Sequence, residues 1–178
     1  MTQTARGRFI SLEGGEGVGK STQSRALAGA LRARGIEVVE TREPGGSPGA
    51  EAIRKLLLEG GADRWGARAE ALLFAAARAD HVDKTILPAL EAGRWVICDR
   101  FLDSSIAYQG GADGLGADAI RALHAVGSAG LLPDRTVLLV LGEGEAAGRR
   151  GEPDRIAVVD ASGTREQVAE RVRAAVGL

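Results

Sequence analysis

Eight consecutive residues constrain this chain more than any others in it: Gly14-Gly15-Glu16-Gly17-Val18-Gly19-Lys20-Ser21. They satisfy the pattern G-x-x-x-x-G-K-[ST] in full. They also stand between a short apolar run, Phe9–Leu12, and an amphipathic stretch, Lys20–Arg34, that stops at Gly35. A strand, a glycine turn and a helix in that order make a phosphate cradle. Glycines let successive N–H groups turn inward around an anion, and the helix start adds the positive end of its dipole. Lys20 offers a cation to β- and γ-phosphates and Ser21 a hydroxyl to Mg²⁺, with Thr22 beside them. The motif predicts a nucleoside triphosphate site.

The rest of the chain suits that start. Five short apolar runs, Phe9–Leu12, Ile36–Thr41, Trp95–Cys98, Thr136–Leu141 and Ile156–Val159, read as strands. Between and after them, Lys20–Arg34, Gly49–Leu58, Ala67–Leu90, Asp118–Ala129 and Thr164–Val176 read as helices, the last capped by Ser162 or Thr164. The expected fold is α/β, a five-stranded parallel sheet of the P-loop NTPase type with helices on both faces, as one domain over residues 1–178.

Composition removes several other classes. Twenty-three Lys+Arg against twenty-four Asp+Glu give a net charge of −1, which offers no electrostatic reason for a nucleic acid or an anionic membrane as partner. Aromatics at 3% leave few stacking platforms for single strands. Cys98 is the lone cysteine, so no disulfide or Cys/His metal cluster is expected. Neither a signal peptide nor a bilayer-length apolar run is visible, and a cytoplasmic location is expected. Guanine-specific switches read their base with an Asn-Lys-x-Asp element, and this chain contains no asparagine. Asp99-Arg100 closes the Trp95–Cys98 run, where a carboxylate suits a Mg²⁺ contact and an arginine fork suits a second phosphate.

Three further segments carry a resemblance. Asp99-Arg100-Phe101-Leu102-Asp103-Ser104-Ser105-Ile106-Ala107-Tyr108-Gln109 resembles the signature segment of thymidylate kinases. Thr41-Arg42-Glu43-Pro44-Gly45-Gly46 resembles the turn after their second strand, and Leu73-Phe74-Ala75-Ala76-Ala77-Arg78 their thymine-facing helix. The resemblance implies a transferase that converts ATP and dTMP to ADP and dTDP on the route to dTTP. It implies that Phe74 stacks on thymine, Arg78 and Ser105 contact the base, Tyr108 sits by the sugar and Gln109 walls the pocket. Arg42 and Arg100 would hold the dTMP phosphate, Glu16 would accept from the 3′-hydroxyl, and Ser21 and Asp99 would hold Mg²⁺. Lys20, Arg100 and the lid arginines Arg149 and Arg150 would carry charge in the transition state. A homodimer through facing helices is implied as well, with the Leu72/Leu73 helix contributing. An ionised acceptor phosphate needs no general base. His81 and His124 fall in no motif and read as helix-surface residues.

One stretch departs from the family. Where an arginine-bearing lid between two helices is expected, this chain has only Gly142 to Arg155, fourteen residues spanning roughly 21 Å if helical. Either the protein is truly shortened there, or a lid segment is missing from this sequence; the second is the expectation, because lids are the segments that unfold most readily. Two rival readings remain: another P-loop nucleoside or nucleotide kinase, and a catalytically silent nucleotide-binding protein.

Overall fold

The structure is a computed structural model, and it describes residues 6–61, 64–111, 114–141 and 152–178. In chain order the elements are β1 (Phe9–Gly14), α1 (Lys20–Arg32), β2 (Val38–Arg42), α2 (Pro48–Leu58) and α3 (Ala67–His81). A π-helical turn (Val82–Ile86), α4 (Leu87–Glu91), β3 (Trp95–Asp99), α5 (Leu102–Tyr108) and α6 (Ala117–Gly127) follow. β4 (Arg135–Val140), β5 (Ile156–Asp160) and α7 (Arg165–Ala175) complete the described elements. Two compact units share the chain: residues 1–40, 89–99 and 133–178, and residues 41–88 and 100–132.

The first unit is built on a five-stranded sheet in the order β2-β3-β1-β4-β5, as expected of an α/β P-loop fold. β1 runs parallel to β3 and β4, and β4 parallel to β5. Ile10, Leu12, Ile97, Val137, Leu139 and Val159 share one buried cluster with Leu27, Ala28 and Leu31 of α1 and Val168 and Val172 of α7. Each Val, Leu or Ile side chain among them contributes about 1.5–3 kcal/mol on leaving water. The alternate positions Phe9, Ser11, Thr136 and Leu138 are buried too, which is why these strands read as nearly continuous apolar runs. Two buried hydroxyls on that second face satisfy each other, Ser11 Oγ and Thr136 Oγ1 at 2.8 Å. The register pairs Leu12 with Asp99, so the turn leaving β1 and the carboxylate ending β3 emerge side by side. Thr164, not Ser162, caps α7: its hydroxyl accepts from Gln167 N–H, and Gln167 Oε1 accepts from Thr164 N–H.

In the second unit, Ser47 caps α2 with Pro48 at the first helical position, and Asp80 reaches over from α3 to accept from both the Ser47 hydroxyl (2.6 Å) and Ala50 N–H (3.2 Å). Lys84 and the Ser47 hydroxyl hold the Asp80 carboxyl down at about 2. The single helix expected over 67–90 is divided. Pro88 has no N–H to continue the ladder, and Leu87 N–H instead bonds Val82 O, five residues back. Both histidines were expected on helix surfaces. That is corrected: His81 is 0% and His124 4% exposed, because each finds a partner that lets an imidazole be buried. α5 was not anticipated as a helix; seven residues with Leu102 and Ser105 buried carry too little periodicity to announce one.

Candidate active site

The phosphate loop is built where the sheet ends. Gly14 leaves β1 at φ 140°, and a Cβ there would run into the Leu139 carbonyl, so only glycine lets β1 turn beside β4. Gly19 then caps α1, its carbonyl accepting from Thr22 and Gln23 N–H at 3.0 Å each, so the helix starts at the loop. Lys20 is buried, and its ammonium donates to the carbonyls of Gly14 (3.1 Å) and Gly15 (2.6 Å), which holds the charge over the loop. Val18 packs beneath against the core, while Glu16 is exposed at the tip.

Ser21 Oγ donates to Asp99 Oδ2 at 2.8 Å. A hydroxyl and a carboxylate oxygen together at the end of a phosphate loop are hard donors of the kind Mg²⁺ takes, so this pair fits that ion. The two come from residues 78 positions apart, joined by the β1–β3 pairing.

In the second unit, Phe74, Arg78, Ser105 and Gln109 line one cavity together with apolar walls that include Ala71, Ile120 and Leu123. Phe74 and Arg78 are one helical turn apart on α3 and meet there as their spacing predicts. The cavity is narrow, about 10 Å³, room for roughly one water molecule. Arg78 is buried, with its Nε donating to Glu43 Oε2 and its Nη2 to Ser105 Oγ, both at 2.8 Å. Its guanidinium also lies 5.1 Å from the Phe101 ring centroid. Glu43 Oε1 accepts from His81 Nδ1 at 3.1 Å, and His81 Nε2 meets Thr41 Oγ1 at 2.7 Å. Gln109 Nε2 donates to Glu70 Oε1 at 2.8 Å.

The remaining candidates stand apart from that cavity's lining. Arg42 faces Glu51 at 3.1 Å, and Gly46 N–H with the nearby arginines holds the Glu51 carboxyl below its ordinary range. Arg100 sits at φ 71°, a left-handed conformation that is strained for a residue with a Cβ, and donates to Ser104 Oγ at 3.0 Å. Its guanidinium lies 5.4 Å from the ring centroid of Tyr108, which is 59% exposed. Arg149 and Arg150 lie outside the described residues.

A family profile described as thymidylate kinase matches residues 12–174. This chain belongs to the thymidylate kinase family. It is 80% identical over 146 residues to a thymidylate kinase of Rhizorhabdus wittichii, covering 82% of this chain and 70% of that one. It is 46% identical to a thymidylate kinase of Rhodopseudomonas palustris (strain TIE-1), covering all of this chain and 92% of the relative. That alignment runs over 211 positions against 178 residues here, so the thymidylate kinase of that organism has residues without a counterpart in this sequence. Among solved structures, a thymidylate kinase from Ehrlichia chaffeensis superposes with a TM-score of 0.84 at 32% identity, over 96% of this chain and 99% of that one.

Against this family background, the residues that sequence reasoning missed are Glu43 and His81. Glu43 lies within the Thr41–Gly46 segment, whose resemblance implies a role for Arg42 alone. His81 follows Arg78 by three positions on α3, and that same-face spacing was the available signal.

Proposed function

We propose that this chain transfers the γ-phosphoryl group of ATP to dTMP, giving ADP and dTDP. One observation carries the reading beyond a generic phosphate loop: Phe74, Arg78, Ser105 and Gln109 converge on one apolar cavity. An aromatic face, a donor-only guanidinium and a hydroxyl suit a flat, carbonyl-bearing pyrimidine. At its present width the cavity admits a base only when its lining gives way, with Phe74 and Gln109 at its wall.

The chemistry asks little of acid or base groups. The transition state is loose, the acceptor phosphate is already ionised, and positioning with charge neutralisation supplies the rate. Lys20 holds its ammonium over the loop for the β- and γ-phosphates, and the α1 start receives their charge through its N–H groups. Ser21 and Asp99 would hold Mg²⁺, which would supply positive charge to offset that of the triphosphate. Arg100 and Arg42 bind the acceptor phosphate; both are guanidinium forks suited to bidentate anion contacts. Glu16 accepts from the sugar 3′-hydroxyl, its exposure at the loop tip leaving it reachable, and Tyr108 borders the sugar. Arg149 and Arg150, outside the described residues, would carry charge in the transition state, and the residues of the Rhodopseudomonas palustris relative without a counterpart here support the view that a lid segment is missing from this sequence. A homodimer through the α3 region is supported by Leu72, exposed on that helix. No helix among the described residues is long and apolar enough to cross a membrane, which accords with a cytoplasmic enzyme.

A coupled assay of ADP release with dTMP, dUMP, dCMP, AMP and deoxythymidine tests the reading. ADP formation is expected with dTMP well ahead of the others. ATP binding without dTMP-dependent ADP would overturn it in favour of a silent nucleotide-binding protein, and preference for another acceptor would reassign the substrate.

A further inference from the structure

Arg78 is the cationic side chain of the base cavity, yet one of the two contacts that fix its direction, that to Glu43, lies outside the cavity lining. A guanidinium has three nitrogens. Here Nε is committed to Glu43 and Nη2 to Ser105, and Nη1 makes no hydrogen bond to a described residue. Two anchors define the plane of the fork, so the remaining donors point in one direction. Glu43 is itself buried and uses both oxygens, one on Arg78 and one on His81. Because a carboxylate only accepts, His81 Nδ1 is the protonated nitrogen of that contact. The ring's other nitrogen meets the Thr41 hydroxyl.

The surroundings leave this chain of contacts little freedom. A Cβ on Gly46 would collide with both Thr41 Oγ1 and His81 Nε2, so the turn and the imidazole fit together only without a side chain there. The π-helical turn after His81 brings Thr85 round to donate to Gly46 O at 2.7 Å, while Asp80 holds Ser47. The Thr41–Ser47 turn is thereby tied to the end of α3 at several points in succession.

We infer that Glu43 and His81 are positioning residues for nucleobase recognition: the buried contact of His81 Nδ1 with Glu43 aims the Arg78 guanidinium into the cavity. This deepens the proposed function and rests on it. A guanidinium carries donors only, so an aimed Arg78 bonds a ring carbonyl and opposes an amino group in its place. A loosened one loses much of that discrimination, while the phosphate loop, on other residues, is untouched.

The two nitrogens of His81 can be tested separately. His81→Asn places an amide nitrogen near the Nδ1 position and keeps a donor for Glu43 while dropping Thr41. His81→Gln reaches toward the Nε2 position and keeps Thr41 while dropping Glu43. Each removes one contact, so a purely structural role predicts similar losses from both. The positioning role predicts that His81→Gln raises KM for dTMP about tenfold, equivalent to about 1.4 kcal/mol, and lowers the dTMP-to-dCMP preference in step. His81→Asn should stay within about twofold of the parent, and neither should move KM for ATP by more than about twofold. Glu43→Gln, which keeps the shape and removes the charge, should behave like His81→Gln and serves if the latter does not fold. Equal effects of the two histidine variants in an active enzyme, parallel rises in both KM values, or an unchanged dTMP KM in Glu43→Gln overturn the inference alone. A parent chain inert toward dTMP overturns the substrate assignment, and this inference with it.

Discussion

The buried pair of Arg78 and Glu43 gives the sharpest energetic test, because its cost can be worked from its contacts. Arg78→Met keeps the side chain's length and removes the guanidinium. Glu43 then stays buried with His81 Nδ1 still 3.1 Å away, and Ser105 Oγ loses the donor it had at 2.8 Å. Stripping one partner from a buried ion pair typically costs about 3–5 kcal/mol; the surviving histidine contact argues for the lower end, and the orphaned hydroxyl adds about 1 kcal/mol, so about 4 kcal/mol is expected. In a chain of this length that corresponds to a melting temperature lower by about 8–16 °C. Urea denaturation followed by circular dichroism reads it as a lower midpoint at constant m. The decisive companion is Arg78→Met/Glu43→Leu, which removes the stranded charge and should regain about 2 kcal/mol over the single variant. A single variant within about 1 kcal/mol of the parent, or a double variant no more stable than the single, would refute the view that these charges depend on each other.

Two further outcomes follow from other parts of the molecule. Lys20→Ala removes the ammonium held by the Gly14 and Gly15 carbonyls, and turnover measured by ADP release should fall by about 10²–10³ with the far-ultraviolet spectrum retained; activity within about fivefold of the parent would contradict the loop's role. Burial holds His124 below the ordinary histidine value of 6.5, so the unfolded chain binds the extra proton first and stability is lost as pH falls below about 6.5. His124→Gln keeps a donor for Leu131 O and should flatten the decline in urea midpoint between pH 7.5 and 5.5; identical declines in parent and variant would show that His124 is not its source.

What the sequence alone determined is what depends on residues close together in it. Gly14 through Ser21 dictate the loop because glycine conformations, a helix start and a lysine all act within eight positions. The five strands and most helices follow from local periodicity, and the observed bounds shift by a few residues where helix ends are set by capping, as at Thr164. Phe74 and Arg78 share a face because 3.6 residues make a turn. Only the tertiary structure decided that Ser21 would meet Asp99, since that requires β1 and β3 to lie side by side in the sheet. It alone decided that two unremarkable histidines would be buried. It also decided that Glu43 would sit between Arg78 and His81, 35 and 38 positions away along the chain. A buried charge is tolerable only beside the partners that neutralise it, and those partners are chosen by how helices and turns come together in space, which no local pattern records.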